Sequence, residues 1–358
     1  MTRLPSTPSE IDAEWLRELL MAEGHPMYSD VDNVCIERFD HPRGHMSEVA
    51  RLVVDLGPTR RLHLICKLPS PVPAVREVAR RFRLWERECR FYHDLAPTVP
   101  IRTPRCLGNR FEPSSGLGVL VLEDLSALRP GDQRGGDAID DVREAVRCLA
   151  PLHAATRRVS RADVPWAPLL IEPDFGVAEV ALAEVLPRFL DAYADVLPAR
   201  ARRWLESARG GPARLLHESA MPMTVLHGDF RLDNLLFDGA SVVALDWQAT
   251  ALGSPLYDLA CFLGGSLSIE RRRRHEAELL DIYHAGLRAA GWSGLRRGVV
   301  GDAYRRATLV SMLVTTVHVG KVVTDDPTVR AQLREVVRRV FVAADDNDAM
   351  AATSRPAP

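Results

Sequence analysis

The sequence has almost no lysine. Of its 46 basic residues, all but Lys67 and Lys321 are arginine. A lysine kept against such a bias points to a position where the compact ammonium is needed and a guanidinium fork cannot replace it. The chain also lacks net charge, at −2 over 358 residues, so no global basic field argues for nucleic acid. No apolar run approaches the ~18 residues that suggest a membrane span. The N-terminus, MTRLPSTPSE, has no basic stretch followed by an apolar one, so no secretory signal is expected and the cytoplasm is the default location. The six cysteines form no CxxC pair, which excludes the usual zinc and disulfide patterns. A Walker-type GxxxxGK[ST] is absent as well. What remains is a chain of ordinary composition, 46% hydrophobic and 26% charged, long enough for two or three lobes with their own cores.

Read along its length, the chain changes texture. Thr7-Pro8-Ser9-Glu10 reads as a helix start, with a helix expected from Pro8 to Glu23. Strand-like runs follow at Val34–Phe39, Val49–Leu56 and Leu62–Leu68. In the third, Leu62, Leu64, Cys66 and Leu68 alternate with His63, Ile65 and Lys67, so Lys67 projects from the opposite sheet face. Arg76 to Leu95 predicts one helix with Val78, Phe82, Trp85, Cys89 and Tyr92 as its buried stripe and Glu88 beside it. Leu117–Leu122 is an apolar run suited to an interior strand. After a turn-rich stretch at Gly131–Gly136, the pattern is mostly helical, with helices expected near 178–196, 269–290, 299–320 and 327–343. The four arginines Arg271–Arg274 read as a solvated helix face, with an anionic substrate as the rival use.

One β island interrupts the helices. Leu235–Phe237 and Val242–Leu245 flank an Asp-Gly turn, a strong hairpin signal. Such a hairpin brings Asn234 and Asp246 to its open end, with Asp229 leading into the same end. Oxygen-bearing side chains gathered in this way suit a hard cation such as Mg²⁺.

The spacing His227-x-Asp229-x-x-x-x-Asn234, with Asp246 twelve residues later, matches a kinase catalytic loop. On this motif, together with LEDL (122–125), ERECRFY (86–92), LDWQ and PLYDLACFL (255–263), the chain resembles the aminoglycoside phosphotransferase and choline kinase-like superfamily. Within it, the ecdysteroid kinase-like branch is the nearest resemblance. The His-Arg-Asp of protein kinases is replaced by His227-Gly228-Asp229, and Asp-Phe-Gly by Asp246-Trp247-Gln248.

The resemblance implies an α+β, bilobal, protein-kinase-like fold. It implies an N-terminal nucleotide-binding lobe over 1–124, a helical catalytic and substrate-binding lobe over 125–350, and a disordered tail over 351–358. The implied activity is transfer of the ATP γ-phosphate to a hydroxyl of a small molecule. A lipophilic, sterol-like alcohol is favoured, and an aminoglycoside or hydroxyacyl-CoA stays open. Asp229 is implied as the residue that orients the acceptor hydroxyl, with His227 holding the catalytic loop. Asn234 and Asp246 are implied as Mg²⁺ ligands, and Lys67, paired with Glu88, as the cation on the ATP phosphates. Glu123, Asp124 and Leu125 would form the adenine-binding hinge through backbone groups. HPRGHMSE (41–48) would cover the phosphates, with Ser47 as a donor, although its single glycine departs from GxGxxG. Asp258 reads as a residue bracing the loop or the helix start. The rival readings are a non-catalytic nucleotide-binding pseudokinase and a protein kinase. Against the latter, Asp246 is followed after eight residues by Ser254-Pro255, which leaves little room for an activation loop.

Overall fold

The computed structural model describes residues 4–39, 46–135, 138–170, 179–207, 221–239, 241–322 and 324–353. The chain adopts a bilobal α+β fold of the protein-kinase type, with a β-rich N-lobe and a larger, mainly helical C-lobe. It divides into a smaller unit of Met1–Thr98, Arg102–Arg129 and Leu245–Ala249, and a larger unit holding the rest.

The smaller unit is built on an antiparallel sheet. Its strands are β1 (Val31–Arg38), β2 (Ser47–Leu56), β3 (Arg60–Pro69), β4 (Cys106–Glu112) and β5 (Leu117–Glu123), in the order β1-β2-β3-β5-β4. The apolar Leu117–Leu122 run is therefore interior. β4 escaped the sequence reading because CLGNRFE carries no clean alternation. Helix α1 (Ala13–Ala22) places Trp15, Leu16, Leu19 and Leu20 against Leu52, Val54, Leu64, Cys66, Leu68, Val119 and Val121. One sheet face is thus committed to α1. The start of α1 differs from expectation. Pro8–Glu10 forms a separate 3₁₀ turn, and Asp12 caps α1 by accepting the Trp15 N–H at 2.8 Å.

The single helix expected over 76–95 is broken. α2 (Pro73–Arg81) and α3 (Leu84–Arg90) are separated by Arg83 in the left-handed region at φ 52°, and a π-helical turn, Phe91–Leu95, follows α3. The break changes the helical phase. Val78 is consequently exposed at 43%, whereas Trp85, Glu88, Cys89 and Tyr92 are buried. α3 packs closely on β5 at Gly118, where an added Cβ would lie 2.9 Å from the Cys89 Sγ and 3.3 Å from Trp85.

A two-residue strand, β6 (Arg129–Pro130), precedes the helices. The larger unit contains α4 (Ile139–Thr156), α5 (Glu179–Tyr193), α6 (Ala199–Ser207), α7 (Leu256–Ser266), α8 (Ile269–Ala289), α9 (Arg297–Lys321) and α10 (Pro327–Asp346). Its core includes Phe189, Met312, Leu313, Val317 and Phe341. β7 (Thr224–Leu226) pairs antiparallel with β10 (Ala251–Gly253). The anticipated hairpin is β8 (Leu235–Asp238) with β9 (Ser241–Ala244), in register Leu235↔Ala244 and Asp238↔Ser241.

Two further expectations change. Arg272 is 1% exposed, bonds both Glu276 oxygens at 2.9 and 3.0 Å, and also reaches Asp346. Arg273 joins Asp346 at 2.8 and 3.0 Å. Half of the arginine run therefore clamps α8 to the end of α10, because the i and i+4 spacing to Glu276 lets Arg272 turn inward with its charge compensated. The tail expected to be disordered from 351 begins inside a 3₁₀ turn, Ala349–Thr353, anchored by buried Ala349 and Met350. The remainder of that tail, 354–358, lies outside the described residues, as does 41–45 of the loop expected to cover the phosphates. Among the described residues, no helix is long and apolar enough to cross a membrane.

Candidate active site

Two groups of the residues singled out above are each drawn together, one in each unit. In the smaller unit, strand alternation decides where Lys67 goes. Leu64, Cys66 and Leu68 face α1, so Lys67 emerges on the α3 side. Its Nζ lies 2.8 and 2.7 Å from the Glu88 carboxylate oxygens and 2.8 Å from Asp246 Oδ1. The other glutamates nearby in sequence have different partners: Glu86 meets Arg83, and Glu77 meets Arg80. Lys67 and Glu88 are both buried.

This trio carries two carboxylates and one ammonium. Burial alone would lower the Lys67 pKa, but Asp246 and Glu88 outweigh it and the net shift is upward, so the ammonium stays charged. Glu88 is pushed up to about 7, chiefly by burial, with Lys67 opposing and Asp246 adding to the rise. The surplus negative charge is what a bound cation would relieve.

The Asp246 backbone sits in the left-handed region at φ 63°, a conformation that costs a non-glycine residue about 1 kcal/mol or more. The next two residues hold it there. Trp247 is fully buried and stacks on Phe91 of the π turn, with centroids 3.8 Å apart and planes 5° from parallel. The Trp247 backbone N–H donates to Glu88. Gln248 Nε2 donates to Asp246 Oδ2 at 3.2 Å.

The 123–125 segment follows β5. The Glu123 carboxylate accepts the Arg105 N–H at 3.1 Å, and Asp124 accepts Arg51 Nε at 2.8 Å and the Ser126 N–H at 2.9 Å. Asp124 is held below its ordinary value, since bonds from Ser126 and the Arg51 charge together outweigh burial, the largest single effect. The Glu123 and Asp124 carboxylates are thus engaged in local bonds. Ser47 opens β2, opposite Pro69.

In the larger unit, β7 delivers the chain into His227-Gly228-Asp229. Gly228 turns at φ 83°, which favours glycine. Asp258, in the first turn of α7, is fully buried and accepts the His227 N–H at 2.7 Å and the Gly228 N–H at 2.9 Å. His153 of α4 reaches the same carboxylate through Nε2 at 3.3 Å, and Tyr283 of α8 meets His153 Nδ1 at 2.6 Å. His227 Nδ1 accepts the Asp229 N–H at 3.3 Å, so its ring supports the loop's own backbone.

Asn234 is buried and spends both amide hydrogens on Asp229, at 2.9 Å to the backbone carbonyl and 3.0 Å to Oδ2. Arg231 Nε lies 3.2 Å from the same Oδ2, and its NH1 lies 3.2 Å from Asp233. One oxygen of Asp229 is thereby fixed, and Oδ1 faces no hydrogen-bond partner among the described residues. The Asn234 carbonyl oxygen is likewise turned away from Asp229. Among the described residues, no group of three or more His, Cys, Asp or Glu side chains is arranged to hold a metal ion.

Sequence reasoning missed Arg231, Gln248, Phe91, His153 and Tyr283. Arg231 and Gln248 stood inside the quoted motifs and were readable as candidates. The other three act through contacts between distant segments, which spacing does not reveal.

The ecdysteroid kinase-like family model matches residues 43–291. The chain belongs to that family. The chain shares its fold with choline kinase and aminoglycoside phosphotransferase structures. No curated protein matches it. Among solved structures, a choline kinase from Cryptosporidium parvum is similar at 10% identity and TM-score 0.55, covering 90% of this chain and 92% of that one. A Plasmodium vivax ethanolamine kinase gives 9% identity and TM-score 0.53, covering 96% and 88%. The GDP complex of an aminoglycoside 2′-phosphotransferase gives 13% and 0.53, covering 94% and 97%. Identities this low establish the fold. Membership of the ecdysteroid kinase-like family adds kinase-type catalytic potential.

Proposed function

We propose that this protein is an ATP- and Mg²⁺-dependent phosphotransferase whose acceptor is a hydroxyl on a small molecule. The observation that carries the reading is Asp229: one carboxylate oxygen is fixed by Asn234 and Arg231, and the other is open on a loop locked by Asp258. A hydroxyl donating to Oδ1 would be aimed by a group that cannot rotate away. Its proton would pass to Asp229 as the oxygen bonds to the γ-phosphorus, while the bond from that phosphorus to the bridging oxygen breaks and ADP leaves with the electron pair. Such positioning supplies most of the rate in phosphoryl transfer.

The donor set fits magnesium. Mg²⁺ is commonly held by one or two protein oxygens plus phosphate oxygens and water, not by a closed cage of side chains. Asp246 would offer a carboxylate and Asn234 an amide oxygen, which is consistent with the lack of a larger acidic cluster among the described residues. When bound, the ion would neutralise charge on the phosphates. Lys67, kept charged by Glu88, would stand on the same phosphates, and the backbone of 123–125 would meet the adenine. His227 holds the loop and takes no proton in this reading. Membership of the ecdysteroid kinase-like family favours a lipophilic, sterol-like alcohol as the acceptor.

A thermal-melt titration with Mg·ATP tests the donor half of this reading. The wild type is expected to rise in melting temperature as ATP binds the folded state. Asp246→Ala should abolish the magnesium-dependent part of that rise. An identical rise in Asp246→Ala and wild type contradicts the assignment. A rise in the wild type without turnover on any alcohol supports the non-catalytic reading instead.

A further inference from the structure

Gln248 stands where the protein-kinase motif has glycine, and it is not idle. Its Nε2 donates to Asp246 Oδ2 at 3.2 Å, while Lys67 holds Oδ1 at 2.8 Å. Each carboxylate oxygen therefore has a donor on it, which restrains the plane of the group. Glycine could not supply the second donor.

Gln248 is itself well anchored. It follows Trp247, which is fully buried and stacked 3.8 Å over Phe91, and whose N–H is on Glu88. The carboxamide is thus carried on a short, packed segment. Asp246 needs this support, since its backbone is in the strained left-handed region at φ 63°. Without the Gln248 donor, the Oδ2 side of the carboxylate loses a restraint on rotation about its terminal bond. Gripped from both sides, it is presented to a cation already oriented.

We infer that Gln248 is a positioning residue for the metal-binding carboxylate of Asp246, setting how tightly the site takes a divalent cation. The inference rests on the proposed role of Asp246 as a cation ligand. Partners that orient a metal ligand typically change affinity 10- to 100-fold when removed. Lys67 remains on the other oxygen, so the lower end of that range applies here.

The test uses the full chain with saturating ADP and Mn²⁺ as the probe, read by electron paramagnetic resonance of free Mn²⁺. Gln248→Met keeps the length and loses the donor, and Gln248→Ala removes the side chain. Both are expected to weaken Mn²⁺ binding by about tenfold, while ADP binding without metal and the metal-free melting temperature stay near wild type. Mn²⁺ binding within twofold of wild type in both variants overturns the inference. So does an equal loss of metal-free ADP binding, which would mark a general structural role. Asp246→Asn separates the two levels. If it binds Mn²⁺ as tightly as wild type, the ligand assignment itself fails, and the role of Gln248 falls with it.

Discussion

Replacing Asp258 by asparagine removes one charge and no volume, yet it should loosen the loop over 227–229. The carboxylate is fully buried and accepts two backbone N–H groups, from His227 at 2.7 Å and Gly228 at 2.9 Å. Hydrogen bonds to a charged group contribute about 1.5–3 kcal/mol each. Asparagine keeps one acceptor oxygen, so one bond survives in weaker, neutral form. At the other, an NH₂ group faces an N–H, and a buried donor is left unpaired at a cost of about 1–3 kcal/mol. His153 can answer the new amide only by switching tautomer, with the Tyr283 hydroxyl turning to accept from Nδ1. The net loss is about 3 kcal/mol, or a fall in melting temperature of roughly 6–12 °C for a unit of this size. Hydrogen exchange at the His227 and Gly228 amides should accelerate together, since one side chain protects both. The assay is a thermal and urea melt of Asp258→Asn beside wild type, with exchange followed by mass spectrometry. A variant within 1 kcal/mol of wild type, with both amides still protected, would refute this account of the loop.

Three other outcomes follow from the geometry. Glu88, pushed up to about 7 from 4.5, contributes stability that is full below pH 4.5 and lost as pH rises through about 7. Urea midpoints in metal-free buffer should therefore fall across that window in wild type, by up to ~3 kcal/mol on 1.36 kcal/mol per unit, and less in Glu88→Gln; equal pH slopes in the two proteins would count against the buried trio. Trp247→Ala should cost about 3–5 kcal/mol as a large core truncation, and Trp247→Phe much less because a ring still meets Phe91; calorimetry showing both variants near wild type would deny the stack its anchoring role. Arg272→Ala should lower stability by about 1–3 kcal/mol, because Glu276 and Asp346 each lose a buried charged partner while Tyr304, Asn347 and Arg273 stay on them, with Arg272→Met milder, and a neutral Arg272→Ala melt would restore the solvated-face reading.

The parts of the molecule written in local periodicity were readable beforehand. The alternation around Lys67, the Asp-Gly turn of the β8–β9 hairpin and the long C-terminal helices all lie within one or two segments, where side-chain direction follows from spacing. The helix break at Arg83 was not readable, because a left-handed arginine carries no sequence signal of the kind glycine or proline gives. β4 was hidden by a run in which polar and apolar residues do not alternate. The inward turn of Arg272 depends on Asp346, which lies over seventy residues away in sequence. The spacing of the 227–234 motif was visible, and so was Asp258 as a brace for the loop, but the partners of that brace were not. His153 and Tyr283 come from two other helices and meet Asp258 only in the folded chain.

Transfer of the γ-phosphate to an alcohol is most directly tested with γ-labelled ATP, Mg²⁺ and a fractionated cell extract, comparing wild type with Asp229→Asn. Wild type should pass label into a small metabolite. The variant should lose transfer by at least ~10²-fold with ATP affinity nearly unchanged. Label in the same metabolite at comparable rates from both proteins would contradict the role of Asp229, and label appearing on protein would contradict the small-molecule acceptor.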